Sequence, residues 1–283
     1  MPVSLPPALE LSLDLLCCPT CRTPHLHPDR GALRCPGGHT FDIARHGYAG
    51  LLTGSRATSG DDAAMVQARD RFLSTGAYTP IRQVGARLAA GVMAEQATVV
   101  DVGCGTGYYL AGVLDQLPGA RGLGLDTSVR ALRSAARAHD RAAAVAWDVF
   151  RPFPLADGVA DVVLNVFAPR NPAEFHRVLR PTGRLIVVRP TGRHLAELRG
   201  RVSAMVTVDP AKEQRLHRAL DPYFEAAVTE QVEYPATLAR PDALDLVAMT
   251  PSARHVSRAD LKDDGLLPDQ VTVSVLATAY RPR

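Results

Sequence analysis

Four potential metal ligands lie close together near the start of the chain: Cys18-Pro19-Thr20-Cys21 and, after thirteen residues, Cys35-Pro36-Gly37-Gly38-His39. The spacing C-x2-C-x13-C-x3-H suits a tetrahedral zinc shell of three thiolates and one imidazole, which leaves no open position for a substrate. Such a zinc is structural, and binding it supplies folding free energy to the segment that carries it. Cys17 is an alternative ligand in principle, but Cys18 gives the two-residue knuckle, so Cys17 is expected to be a buried spare thiol. His25 and His27 are the other rivals and are expected to decorate the loop.

A second group with chemical potential is Asp101-Val102-Gly103-Cys104-Gly105-Thr106-Gly107, directly after an apolar run. Glycines here let the backbone turn sharply and let a ligand sit against bare main chain. The spacing is G-x-G-x-G, tighter than the G-x-G-x-x-G of dinucleotide loops. With an acid two residues ahead, it is the pattern of Rossmann-like methyltransferases, in which the loop faces the methionine part of S-adenosylmethionine. Asp101, Gly103, Gly105, Thr106 and Gly107 are therefore expected to bind cofactor, and Asp126, at the end of Leu123-Gly124-Leu125-Asp126, stands where a ribose-binding carboxylate belongs. Asp126 taken alone could equally cap a helix.

Elements able to position these residues are legible in the hydrophobic pattern. Strands are expected at Ala97–Val102, Gly122–Leu125, Ala143–Trp147, Val159–Val166 and Gly183–Arg189, with helices at Thr106–Gln116, Ser128–Ala138 and Pro172–Leu179. Such alternation argues for a parallel sheet with crossover helices. Ala226–Tyr234 and Val271–Tyr280, either side of a helix near Asp242–Met249, read as a closing strand pair. Residues 61–94 follow a helical pattern broken near Gly76 and Pro80, and Gly50–Gly60 reads as a flexible connection. The fourth strand runs into Asn165-Val166-Phe167-Ala168-Pro169, at the carboxyl edge where open α/β sheets hold ligands. The expected fold class is α/β, a Rossmann-like class I methyltransferase domain on a seven-stranded, mostly parallel sheet, with a small zinc-binding module at the N-terminus. The division is 1–50 for the module, 51–94 for linker and helices, and 95–283 for the Rossmann-like domain.

Bulk composition fits this division. The 283 residues are 46% hydrophobic and 22% charged, enough for one large α/β domain and a smaller module. A formal net charge of +3 permits an anionic partner without demanding one. Only Lys212 and Lys262 are lysines, so the positive charge is nearly all arginine, whose planar fork suits phosphate and guanine edges. No apolar run reaches the roughly 20 residues that cross a bilayer, and no export signal is read, so no membrane partner and a cytoplasmic location are expected.

Taken together, these stretches resemble the RlmA-type bacterial 23S rRNA (guanine-N1)-methyltransferases, especially the branch associated with tylosin-type macrolide resistance. Besides the knuckles and the cofactor loop, the resemblance rests on Gly38-His39-Thr40-Phe41-Asp42, Gly47-Tyr48, Leu51-Leu52, Gly76-Ala77-Tyr78-Thr79-Pro80, Arg193-His194-Leu195 and Met249-Thr250-Pro251. It implies that Tyr78 and His194 complete the cofactor pocket, and that Asp148 meets the adenine edge. The implied substrate is a guanine in a domain II hairpin of 23S rRNA bordering the peptide exit tunnel, nucleotide 748 rather than 745, methylated at N1. A homodimer is also implied. Because guanine N1 carries a proton at neutral pH, the enzyme must expose that edge, align it with the sulfonium methyl and release the proton. Asn165 is the candidate for orienting the base, and no general base is evident.

Candidate phosphate contacts are Arg22, Arg34, Arg45, Arg56, Arg69 and Arg71, and Tyr48 is a candidate for stacking on an extruded base. Exocyclic-amine methylation usually uses an Asp/Asn-Pro-Pro-aromatic turn, from which Asn165-Val166-Phe167-Ala168 departs. C5-cytosine methylation needs a nucleophilic thiol, yet Cys104 lies within the cofactor loop and the other four cysteines in the zinc module. Two alternatives of other classes remain: a small-molecule methyltransferase, against which the zinc module argues, and a non-catalytic zinc-containing RNA-binding protein, against which the intact glycines and Asp101 argue.

Overall fold

A computed structural model describes residues 5–52, 60–92, 95–202, 215, 218–254 and 267–283. Its centre is the strand β5 (Thr98–Val102), buried along its whole length, which pairs in parallel with β6 (Arg121–Asp126) on one side and β8 (Ala160–Val166) on the other. β7 (Ala142–Ala146) extends the parallel array beyond β6, and β9 (Leu179–Pro190) extends it beyond β8. The helices α4 (Tyr108–Gln116), α5 (Val129–Ala135) and α6 (Pro172–Val178) make the crossovers. After α7 (Ala196–Arg201), the long strands β10 (Phe224–Thr237) and β11 (Gln270–Pro282) form a hairpin-like antiparallel pair around α8 (Arg240–Ala248), and β11 closes the sheet by pairing antiparallel with β9.

These seven strands meet the sequence expectation, and an eighth is added at the opposite edge. β4 (Ala49–Gly50), from the end of the cysteine-rich segment, pairs in parallel with β7. The remainder of that segment is a three-stranded antiparallel sheet of β1 (His27–Asp29), β2 (Ala32–Arg34) and β3 (Thr40–Asp42), preceded by the short α1 (Pro7–Glu10).

Residues of the N-terminal segment share an apolar core with the large sheet. Leu9, Leu15, Leu16, Leu33 and Phe41 are buried in a cluster with Val100, Leu123, Val145 and Val163, so the segment covers one face of the large sheet. Main-chain bonds seal the junction: Cys17 N donates to Pro154 O at 2.9 Å and Ala156 N to Leu15 O at 3.0 Å. Alternation along the strands sends Val99, Val162 and Ile186 to the other face, against α2 (Ala63–Ser74) and α3 (Thr79–Ala89). The helical pattern breaks between Ser74 and Thr79, as expected near Gly76 and Pro80, and Pro80 sits in the first turn of α3, where its missing N–H is harmless. Asp62 caps α2, its Oδ1 accepting from Ala64 N and Met65 N at 2.8 and 2.9 Å.

Most of the expected connection Gly50–Gly60 lies outside the described residues, as does Arg56. No helix among the described residues is long and apolar enough to cross a membrane.

Candidate functional site

The loop between β5 and α4 folds as it does because three glycines take positive φ, +79° at Gly103, +54° at Gly105 and +83° at Gly107. A Cβ at Gly103 would lie 2.4 Å from the Ala168 Cβ, and one at Gly107 would lie 2.8 Å from that of Ala138. The loop backbone is thus pressed on one side against the turn after β8 and on the other against the end of α5. Gly103 N and Cys104 N both donate to Leu125 O, at 2.8 and 3.1 Å, which anchors the turn to β6. Thr106 is buried within it. Gly107 is the N-cap of α4, so that helix begins two residues later than the sequence pattern suggested.

Two acids flank the loop. Asp126, ending β6, accepts from Gly105 N through Oδ2 and from Ser128 N through Oδ1, both at 2.8 Å. It therefore holds the loop and the approach to α5 at once, with the helix cap itself supplied by Ser128 Oγ. Burial raises its carboxyl above the usual range. Asp101, the last residue but one of β5, is buried, and its Oδ2 finds no hydrogen-bond partner among the described residues. Desolvation, with the neighbouring Asp126 charge as a smaller cause, pushes it up to about 8. Asp148 lies just past β7, buried, its Oδ1 accepting from Phe150 N at 3.0 Å.

Asn165, wholly buried near the end of β8, donates through Nδ2 to Val102 O at 3.2 Å and to Pro169 O at 2.8 Å. Those bonds fix the amide plane and leave Oδ1 without a partner. Tyr78 and His194 are 116 residues apart and meet at 3.2 Å, Oη to Nε2. Ser274 N donates to His194 Nδ1 at 3.2 Å, so in the neutral ring the proton sits on Nε2 and is donated to Tyr78 Oη. Burial lowers His194 to about 4, which keeps that ring neutral at physiological pH. Phe167 stacks on His194 with centroids 5.8 Å apart, and Tyr78 lies 6.2 Å from Phe167.

Sequence reasoning did not single out Phe167 or the role of Arg69. Arg69 ion-pairs with Asp61, donates to Met249 O at 2.8 Å, and would stand 3.2 Å from a Cβ at Gly105. It lies over the glycine loop and ties it to the Met249-Thr250 stretch, so this candidate phosphate contact is engaged within the protein. Arg71 is likewise engaged within the protein, forking onto Asp245 at 2.7 and 2.6 Å. Arg22 donates to Phe153 O at 2.7 Å, and Arg34 pairs with Asp29 at 3.2 Å on the surface. Arg45 donates to its neighbour His46 at 3.3 Å, and His46 also stands close to the positive charges of Arg133 and Arg137.

In the N-terminal segment, the ligand atoms of Cys18, Cys21, Cys35 and His39 all lie within 4.8 Å of one another. A tetrahedral zinc with Zn–S near 2.3 Å needs its sulfurs about 3.8 Å apart. Cys21 Sγ to Cys35 Sγ is 3.8 Å, and His39 Nδ1 is 3.3 Å from Cys35 Sγ and 3.6 Å from Cys18 Sγ, so the donor set fits. The Thr23 hydroxyl at 3.2 Å brings the Cys21 thiol down to about 6, towards the thiolate that a metal requires. Cys17 is buried with its thiol pushed up, as expected of a spare cysteine. Cys104 is buried with a pKa well above the ordinary thiol value, which is no nucleophile and closes the route to C5-cytosine chemistry.

Comparison with known proteins agrees with both halves. Residues 16–56 match the family described as "RlmA, N-terminal", and residues 99–183 match "Methyltransferase domain". A 23S rRNA (guanine(748)-N(1))-methyltransferase of Streptomyces fradiae is 46% identical over 94% of this chain and 96% of its own. A protein of Micromonospora griseorubida, provisionally named as a 23S rRNA (guanine-N(1)-)-methyltransferase, is 45% identical over 95% of this chain and 98% of its own. A relative from Bacillus subtilis with the same provisional description, YxjB, is 36% identical over 64% of this chain and 66% of its own.

Proposed function

The chain belongs to the RlmA-type 23S rRNA (guanine-N1)-methyltransferases, and from that premise we propose that it methylates guanine 748 of the domain II hairpin. What carries this reading is similarity that runs end to end, through the cysteine-rich segment as well as the glycine loop, to a relative named for position 748. Position 745 is the competing assignment. Resistance to tylosin-type macrolides would be the phenotype.

S-adenosylmethionine, when bound, supplies an electrophilic methyl group on a sulfonium. On our reading Gly103, Gly105, Thr106 and Gly107 present bare backbone to its amino-acid end, with Asp101 beneath, Asp126 towards the ribose and Asp148 towards the adenine. Tyr78 and His194 wall the opposite side. The Asn165 carbonyl would accept from the donor edge of the guanine and fix it, but an amide takes no proton, so the N1 proton leaves to solvent as the N–CH3 bond forms and the S–CH3 bond breaks, its electron pair staying on the thioether sulfur of S-adenosylhomocysteine. Alignment is then the main source of rate. Cys18, Cys21, Cys35 and His39 hold a structural zinc that shapes the segment against which the RNA lies. The positive charges of Arg45, Arg133 and Arg137 gather around His46, at the end of that segment.

Transfer of labelled methyl to 23S rRNA lacking the modification, followed by primer extension through the domain II hairpin, tests this. A single stop at 748 is expected, because a methyl on the pairing edge blocks copying. A stop at 745 would correct the position, and no label on RNA despite measured cofactor binding would refute the assignment.

Asp101 gives a pH prediction. Below about 8 its carboxyl is protonated in the free protein, so the stability it contributes is lost as pH rises from the ordinary carboxylate range to about 8, and changes no further above. A bound cation favours the carboxylate, which lowers the pKa in the complex and makes binding release a proton. Cofactor affinity should therefore climb from pH 6 to about 8, by at most tenfold per pH unit, and level off above. Asp101→Asn should flatten that slope, and titration calorimetry in buffers of different ionisation enthalpy would reveal the proton directly.

A further inference from the structure

Phe167 is the residue whose conformation and position the account so far leaves unexplained. It follows β8 with φ +53°, left-handed backbone that an aromatic side chain occupies only under constraint. The constraint is visible: Phe167 N donates to Val188 O at 3.1 Å, while the next residue, Ala168, is pressed against Gly103. Local strain of this kind persists where the surrounding structure over-determines it, and it gathers at ligand-binding positions.

The ring is also placed where an apolar side chain gains little from burial. It remains 39% exposed, although its neighbours Tyr78 and His194 are buried. One of its faces lies against the His194 imidazole, tilted by 28°. That imidazole is held in turn by Ser274 N on Nδ1 and Tyr78 Oη on Nε2. Tyr109 meets Phe167 edge-on at 6.3 Å. The result is a braced aromatic surface beside the glycine loop. Two residues upstream, the wholly buried Asn165 has an unpartnered Oδ1.

We propose that Phe167 is the stacking platform for the target guanine, receiving the extruded purine on its exposed face while Asn165 Oδ1 accepts from the base's donor edge. This deepens the N1-methylation reading and rests on it. Phe167 is a positioning residue: it takes part in no bond change and sets the plane in which N1 meets the methyl group. A purine offers a large π face and a donor edge together, matching the exposed ring face of Phe167 and the unpartnered Oδ1 of Asn165, whereas an aliphatic small-molecule substrate would use neither.

The test uses the full-length zinc-loaded protein and a domain II hairpin RNA, with Phe167→Leu and Phe167→Tyr compared with wild type. Base–aromatic stacking is sensitive enough that Phe167→Leu should lower kcat/KM for the RNA about ten- to a hundredfold. Cofactor affinity should stay within about twofold, and Phe167→Tyr should stay within about threefold of wild type, as replacement of one platform by another predicts. With 2-aminopurine in place of the target guanine, wild type and Phe167→Tyr should quench the extruded base, and Phe167→Leu should leave it bright. The proposal is overturned if Phe167→Leu methylates the hairpin like wild type, or if its loss of activity tracks an equal loss of cofactor affinity, which would make Phe167 a prop for the loop. Absence of transfer by wild type itself would instead sink the N1-methylation reading, and the platform with it.

Discussion

Gly103→Ala is expected to abolish measurable methyl transfer and to weaken cofactor binding at least about a hundredfold, with the sheet still folded. Two costs meet at this position. Left-handed backbone at φ +79° costs an alanine roughly 1–2 kcal/mol, and the added Cβ would sit 2.4 Å from the Ala168 Cβ, so one of the two turns must move. Overpacking of this kind costs about 1–3 kcal/mol more. The loop has little freedom to absorb the shift, because Gly103 N and Cys104 N are fixed to Leu125 O and Gly105 N to Asp126. Displacement is therefore passed to the loop surface that, on the proposed reading, faces the cofactor, and about 3 kcal/mol lost from binding is roughly a hundredfold in Kd. Pairing Gly103→Ala with Ala168→Gly removes the clash and leaves only the backbone strain, so the double variant should recover most of the affinity. Calorimetric affinities for S-adenosylmethionine across the three proteins would decide it. An unchanged Kd in the single variant would show that the loop does not contact the cofactor.

The contrast between this loop and the rest of the site shows what local sequence can carry. Glycines at 103, 105 and 107 are legible because positive φ and close approach leave few other choices, and the knuckles are legible because a metal dictates donor type and spacing. Both signals are complete within about twenty residues. Tyr78 and His194 have no such local mark; they meet across 116 residues, and without the family resemblance neither stands out. Arg69 was placed among the RNA contacts because a sequence shows its charge but not Asp61, Met249 and the glycine loop gathered around it. Phe167 was hidden for the opposite reason. Backbone preference argues against an aromatic at positive φ, so the feature that marks it is a departure from the rule by which sequence is read.

Strands followed the same logic. β5, β6, β7 and β8 are short, buried and nearly continuous in apolar residues, and their positions follow from that pattern. β9 begins at Leu179 rather than Gly183, because a register shift between Ala160 and Val162 lets Pro181 and Gly183 lie within a strand that local propensity would end. The shared core beneath the cysteine-rich segment was beyond reach, since Leu16 pairs with Leu155 and Cys17 with Pro154 across more than a hundred residues.

That shared core sets the expected result of removing the zinc. In an isolated zinc finger, metal binding and folding are one event worth about 10–16 kcal/mol. Here the metal shapes the knuckles of the lobe from Cys18 to Asp42, while Leu33 and Phe41 of that lobe also reach the shared core. Leu9, Leu15 and Leu16 are held by the large sheet, and Arg121 forks onto Asp14 at 2.7 Å from the strand side. Cys35→Ser leaves a three-ligand shell, and the strand-to-knuckle bond from Cys35 N to His39 O loses its reason to persist. The lobe should then open while the sheet, with its glycine loop, stays folded. Elemental analysis should find one zinc per chain in the wild-type protein and well under that in Cys35→Ser. S-adenosylmethionine affinity should remain within about threefold, because no ligand of the metal touches the loop, whereas RNA methylation should fall by about a hundredfold or more as the docking surface is lost. If RNA methylation survived zinc loss unchanged, the lobe would be dispensable for substrate. If cofactor affinity collapsed with it, the zinc would be supporting the whole sheet through the shared core rather than a separate face for RNA.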